Sequence, residues 1–296
     1  MINIKEIKSV KLASFTKITA SIYGVLGFIA ALVMLITLII IQAAGVIPQL
    51  APQLGQFNFV TGLGIPLLVI LPISAFFITI VASLFSVMLY NALVPKLGGI
   101  KLELEGEDVV KIPVISFSLI LSAIGAIWAF IVGLLMAALI APLFSIISTP
   151  SIVSNITANL TNTTGTNIPD GSFGAAGLIL ALFLIIGLPI MAFVFGFIGN
   201  ALSALVYNYL VTRVVKIKLE FENITGSLHE LKHIPVIPTA LAVALVFTLL
   251  GLLGILTRNY GQFIANFIQY FIETALFALL YNYLAPKIGS IKLDMD

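Results

Sequence analysis

The chain reads as an all-α integral membrane protein: six transmembrane helices in three parallel hairpin repeats, each followed by a short cytoplasmic β-strand. Three observations lead there. The composition is too apolar for a water-facing surface, six apolar stretches reach spanning length, and one motif returns three times at the ends of alternate helices.

Of 296 residues, 60% are hydrophobic and only 9% charged, with a mean hydropathy of +1.20. Soluble domains carry about 25% charged residues, so this polypeptide cannot cover a surface in water. It has no cysteine, which removes disulfides, thiolate metal sites and cysteine nucleophiles together. A net charge of +2 is too small and too scattered for a nucleic-acid partner. The expected surroundings are membrane lipids.

A spanning helix needs about 20 apolar residues. Suitable stretches fall near 15–45, 66–93, 113–141, 174–211, 236–256 and 263–285. The first follows Lys5, Lys8, Lys11 and Lys17 and runs uninterrupted over 18–41, longer than the apolar core of about 7–15 residues in a cleaved signal peptide. It is therefore expected to be a retained span. Of the fourteen Lys and Arg, all but Arg258 lie at the N-terminus, near 96–111, near 213–232 or at the C-terminus. By the positive-inside rule both termini face the cytoplasm and the protein is a multi-pass component of the cell membrane.

The loops on the opposite side differ in kind. Residues 143–171 are rich in Ser, Thr and Asn, and carry Asn155, Asn159 and Asn162 in N-x-[ST] sequons, candidates for glycosylation. A fourth sequon, at Asn223, falls on the cytoplasmic side and should stay bare.

Internal repetition is the strongest signal. LYNALVPKLGGIKLELEG (89–106) returns as VYNYLVTRVVKIKLEFEN (206–223) and as LYNYLAPKIGSIKLDMD (280–296). The pairs Tyr90-Asn91, Tyr207-Asn208 and Tyr281-Asn282 each precede an Ile by ten residues from the Tyr (Ile100, Ile217, Ile291). Pro72 and Pro189 stand eighteen residues before the Tyr in the first two copies. Eighteen helical residues rise about 27 Å, close to the hydrocarbon thickness of about 30 Å. The Pro is thus expected at the outer boundary and the Tyr at the inner one, with each Asn amide hydrogen-bonded because an unpaired amide at that depth is costly. The second copy lacks the Pro and Gly of the turn, and the third lacks the outer Pro. The repeats divide the chain at 1–106, 107–224 and 225–296.

Each copy ends in an alternating segment: Ile-Lys-Leu-Glu-Leu-Glu, Ile-Lys-Leu-Glu-Phe-Glu or Ile-Lys-Leu-Asp-Met-Asp. This is the period-2 pattern of a half-buried strand. The segment INIKEIKSVKL near the N-terminus is a candidate fourth. Two or three of them are expected to pair in a small sheet, packing Leu102, Leu219 and Leu293 against the helix ends and offering a surface to protein partners.

Tyr90-Asn91 with Gly98-Gly99, and Tyr281-Asn282 with Gly289, resemble the end of a bacterial transmembrane hairpin family, widespread in actinobacteria, that has a β-like tail. That resemblance covers only the ends of the repeats and implies no activity. The Ile-rich, cysteine-free composition with outward sequons suits an archaeon. Three hairpins in about 300 residues are also similar in architecture to mitochondrial solute carriers, but helices 1, 3 and 5 here lack the charged residues after a Pro that mark those carriers.

His229-Glu230-Leu231-Lys232-His233 matches H-E-x-x-H, which on a helix places two imidazoles on one zinc ion beside a general base. A zinc metalloprotease is therefore one reading. Against it, Pro235 and Pro238 follow at once, the chain has only these two His, and a zinc site usually takes a third protein ligand. Aligned on Ile-Pro, HELKHIP falls opposite EDVVKIP (107–113), so the segment is expected to be an ordinary charged linker. No P-loop, G-x-S-x-G or G-x-G-x-x-G appears. Gly24 and Gly27 read as close-packing positions on a helix, and Trp128 lies inside helix 3.

One polar stripe remains. Gln262, Asn266, Gln269 and Glu273 share a face of helix 6, and Ser83, Asn200 and Thr274 sit seven residues before the repeat tyrosines. Intramembrane ionisable groups are costly and often functional. The stripe is either a polar pathway around Glu273 or a contact between helices or subunits of a homo-oligomer. The expectation from sequence is a non-catalytic scaffold or interaction protein without cofactor. A channel or transporter is the alternative.

Overall fold

In a computed structural model, residues 2–45, 58–147, 172–251 and 260–296 are described. Five helical runs among them are long and apolar enough to cross a membrane: Leu12–Ala43, Val60–Leu97, Val114–Ile140, Gly177–Arg213 and Phe263–Ile288. Their outward faces carry large aliphatic and aromatic side chains such as Ile40, Phe77, Val81 and Ile190, all more than half exposed. Such a surface is at home only in lipid. A sixth apolar helix is described over Val236–Gly251 and is shorter than these.

The elements are, in order, β1 (Asn3–Val10), α1 (Leu12–Ala43), α2 (Ile65–Leu97), β2 (Ile100–Glu105), β3 (Asp108–Lys111), α3 (Val114–Ile147), α4 (Ser172–Leu182), α5 (Leu188–Tyr209), β4 (Ile217–Lys218), β5 (Glu220–Thr225), β6 (Leu228–His233), α6 (Val236–Gly251), α7 (Tyr260–Ile288) and β7 (Lys292–Met295). Single π-helical turns lead into α2 (Val60–Gly64) and α5 (Phe183–Gly187). Pro72 and Pro189 lie within these continuous helical runs. The π turn before α5 ends two residues ahead of Pro189, and such turns commonly take up a break in the i→i−4 ladder.

The all-α expectation is corrected by a seven-stranded antiparallel sheet, where two or three paired strands were expected. Its order is β4-β3-β2-β1-β7-β6-β5. The two edges, β4 and β5, are consecutive pieces of one run of chain separated only by Leu219. The sheet therefore curls until it meets itself, a barrel of six chain passes that leaves almost no open edge. At one end, successive strands are joined by helical hairpins. At the other, β2–β3 and β5–β6 turn through two residues, Gly106-Glu107 and Gly226-Ser227. Gly106 and Gly226 take φ of +64° and +59°, the left-handed conformation that such tight hairpins require and that glycine adopts freely. The chain ends complete the ring, with β1 pairing β7 and Glu6 and Asp296 exchanging backbone hydrogen bonds of 3.2 Å.

Two compact units make up the chain. The first, residues 1–116 and 203–296, holds the whole barrel. Its core continues from the barrel wall (Leu102, Leu104, Val109) to Tyr207, Val211, Ala242 and Val246, with a second cluster around Ile18, Ile22, Leu231 and Tyr281. Within it α1 packs along α2, where Gly27 faces Ala75 and the Leu71 carbonyl so closely that a Cβ would sit 3.0 Å from each. The second unit, residues 117–202, holds most of α3 to α5. There Gly133 lets α3 approach the Leu184 carbonyl so closely that no Cβ would fit.

Candidate functional site

Neighbouring residues on a helix point about 100° apart, so Tyr and Asn at a helix end reach two different targets. Tyr90, Tyr207 and Tyr281 are buried at 6%, 2% and 0% exposure. Each phenol bridges two strands. The hydroxyls donate to the carbonyls of Ile7 (2.6 Å), Val109 (2.5 Å) and Leu231 (2.5 Å). They accept from the N–H groups of Ile100 (3.1 Å), Ile217 (3.0 Å) and Ile291 (3.2 Å). Each Asn binds both backbone groups of one residue three positions further on. Oδ1 accepts from the N–H of Val10, Ile112 and Ile234, each at 2.9 Å. Nδ2 donates to the carbonyls of the same residues at 2.9, 2.8 and 2.8 Å.

The six residues thus form three equivalent clamps. In every repeat the second helix grips the strand entering its own hairpin at two points and the strand leaving it at one. The intervening chain differs in length, with the gripped carbonyl 83, 98 or 50 residues before the Tyr, yet the bonds recur. Gly98 and Gly289, at φ of +84° and +103°, turn the chain from α2 and α7 back to the barrel. The second copy has no glycine there and uses a 3₁₀ turn, Val211–Arg213.

Lys in the Ile-Lys motif has a matching task on the barrel's outer face. Glu6 faces Lys101, Asp108 faces Lys218 and Glu230 faces Lys292 across paired strands. Further pairs join Lys8 to Asp296, Lys111 to Glu103 (3.1 Å) and Lys232 to Glu222 (3.2 Å). Burial pushes the Glu230 carboxyl up, but a Ser290 hydrogen bond with Lys232 and Lys292 outweighs it, and the group is held below its ordinary value.

His229-Glu230-Leu231-Lys232-His233 is strand β6, neither the helix a zinc motif needs nor the plain linker expected. Four strand residues span about 13 Å, whereas two nitrogens on one zinc lie within about 4 Å. His229 is buried, with Nδ1 2.8 Å from the Ser227 carbonyl. The register shifts beside Phe221, and His233 meets Glu220 at 3.1 Å. Among the described residues no three His, Cys, Asp or Glu gather as a metal site.

The polar stripe is only partly gathered. Gln269 and Glu273 are exposed on α7 and joined by a 2.9 Å hydrogen bond. Glu273 and Thr274 edge a cavity of about 720 Å³ with Tyr23, Gly27 and Ala75. Asn266 is half-buried near Gly251. The side chain of Gln262, the loop sequons at Asn155, Asn159 and Asn162, and Arg258 lie outside the described residues. Ser83 turns inward and donates to its own helix at the Thr79 carbonyl, 2.6 Å away.

One feature went unread in the sequence: the barrel's far mouth, at the strand ends remote from the helices. A cavity of about 370 Å³ opens there, edged by Asn3, Lys5, Glu107, Asn223 and His229 over walls that include Leu104, Leu219, Phe221 and Met295. Lys5 lies opposite the buried Leu102 and shares the inward phase of Ile7. A charge at an inward position of an alternating strand is the signal that marks it. Comparison with protein families, with curated proteins and with solved structures gives no match to this chain.

Proposed function

We propose that the protein is a non-catalytic membrane scaffold of six spans in three hairpins, which hold the barrel at the cytoplasmic face for partners to bind. The observation that carries this reading is the use made of the triplicated residues. Tyr90, Tyr207, Tyr281 and their Asn neighbours have their hydrogen-bonding groups taken up by backbone. What the repeat demands is a rigid joint between helix and barrel, and the tyrosine and asparagine side chains are spent on it. The orientation rests on charge: of the Lys and Arg, all but Arg258 fall on the barrel side of the chain, the side retained in the cytoplasm. The helix Val236–Gly251 would belong to the fifth span.

Glu273 on its cavity supports a second reading, a cation or proton pathway. Reconstitution in liposomes separates the two. Flux of protons or monovalent cations is compared between the wild type and Glu273→Gln, which keeps the shape and cannot ionise. The scaffold reading expects no flux from either. It also expects a photo-crosslinker placed at Glu222 on the barrel's outer face to capture one protein partner reproducibly in cells, and crosslinkers in the helices not to. Flux lost in Glu273→Gln, with unchanged thermal stability, would replace the scaffold with the transporter.

A further inference from the structure

We infer that the barrel mouth is a binding site for a small monocarboxylate with a short apolar tail, with Lys5 as its counter-ion. The strand lysines Lys8, Lys101, Lys111, Lys218 and Lys232 each reach a carboxylate on the outer face. Lys5 faces inward, and among the described residues no carboxylate stands within ion-pair distance of it. Its ammonium meets instead the Nε2 of His229, at 3.4 Å. An ammonium has no lone pair, so Nε2 is the acceptor, and Nδ1 carries the proton toward the Ser227 carbonyl at 2.8 Å. The imidazole is thereby used up as a neutral support that orients Lys5 and does not neutralise it. A cation withdrawn into a barrel without an anion is unfavourable, and an anionic ligand removes that cost.

The surroundings select among anions. The cavity of about 370 Å³ is of the size that takes small molecules. Asn3 and Asn223 offer amides at its edge, and Asn223 already spends Nδ2 on the Gly226 carbonyl at 2.8 Å. Glu107 stands on the same edge. It forms no ion pair with Lys5, and its negative charge repels a dianion more strongly than a monoanion, which disfavours phosphate. Leu104, Leu219, Phe221 and Met295 would desolvate a hydrocarbon tail while the carboxylate meets Lys5.

The test uses the full chain in nanodiscs, with butanoate as the probe and butanamide and inorganic phosphate as controls. Calorimetry is expected to show saturable butanoate binding, weaker by roughly tenfold or more for the uncharged amide, for phosphate and in Lys5→Met. Lys5→Met should unfold at the same temperature as the wild type or higher without ligand, since it replaces an unpaired cation by an apolar chain of similar length. A second measurement needs no variant. Butanoate should slow acylation of Lys5 by a lysine-reactive reagent, read by mass spectrometry, and leave Lys8 and Lys101 unaffected. Absence of butanoate binding, equal binding by Lys5→Met, preference for phosphate, or protection spread evenly over the lysines would each overturn the assignment.

Discussion

Asn208 closes both backbone groups of Ile112, accepting from its N–H at 2.9 Å and donating to its carbonyl at 2.8 Å. A side-chain amide here does what a neighbouring strand would do, just where β3 ends and α3 is about to begin. Asn91 on Val10 and Asn282 on Ile234 repeat the arrangement. The joint between sheet and membrane helix is the place where a chain leaves one ladder before entering the next, so its backbone would otherwise be unpaired.

Replacing Asn208 by Ala should therefore orphan a donor and an acceptor together. Each unmet group costs about 1–3 kcal/mol, and a clear fall in the unfolding temperature of detergent-solubilised protein is expected. Asn208→Asp is the sharper variant, because it keeps size and the Oδ1 acceptor yet sets an oxygen against the Ile112 carbonyl. It should be no more stable than the Ala variant. A thermal scan in which Asp equals wild type would show that the donated bond contributes nothing.

Tyr281→Phe tests the other half of the clamp with almost no change in packing. The ring stays and only the hydroxyl is lost, leaving the Leu231 carbonyl and the Ile291 N–H without their partner at 2.5 and 3.2 Å. About 1–3 kcal/mol of destabilisation is expected, and amide hydrogen exchange should rise locally at Ile291 and along β7. Faster exchange spread evenly through the helices, with none at Ile291, would mean that the phenol acts only through its ring.

The apolar helices and the triplicated motif are legible in the sequence because length and hydrophobicity are local properties, and because the Tyr-Asn spacing survives in all three copies. The barrel is not, for two reasons. Its entering strands, Asp108–Lys111 and Leu228–His233, are short and charged and pass for linkers; only Gly106 and Gly226 two residues ahead hint at hairpin turns. Closure depends on β4 and β5 pairing with opposite ends of the sheet, a non-local fact that no window of sequence contains. The H-E-x-x-H pattern misleads for a related reason, since its meaning depends on helical rise and the segment is extended. In the sequence Lys5 reads as part of the positive charge flanking the first span. Its inward phase becomes visible only once Ile7 is known to face the core.

Acid should weaken the outer face of the barrel through Glu230. Its carboxyl is held below the ordinary value in the folded protein by Ser290, Lys232 and Lys292, against the opposing effect of burial. A depressed folded value means that the stabilisation is fully present above the unfolded carboxylate range and is lost as pH falls through the folded value. The unfolding temperature of the wild type should therefore exceed that of Glu230→Gln at neutral pH. The gap should close as the solution is acidified through and below the carboxylate range. A gap that widens on acidification would reverse the sign assigned to this group.

Side of the membrane is the remaining expectation that a single measurement decides. The natural chain has no cysteine, so one introduced thiol is the only one present. Glu222, on β5, has a side chain 64% exposed on the barrel's outer surface, and Ser154 falls in the long polar stretch of sequence between the third and fourth apolar stretches. All Lys and Arg but Arg258 lie in or beside the segments that carry the strands, and short basic loops are retained in the cytoplasm. A membrane-impermeant maleimide applied to intact cells should label Ser154→Cys at once and Glu222→Cys only after the membrane is opened. The opposite order would place the barrel outside the cell. It would also move the Lys5 cavity from a site for cytoplasmic carboxylates to one that samples the surroundings. Labelling of both variants in intact cells would mean that the two sites share a side, and the odd number of spans between them would then have to be given up.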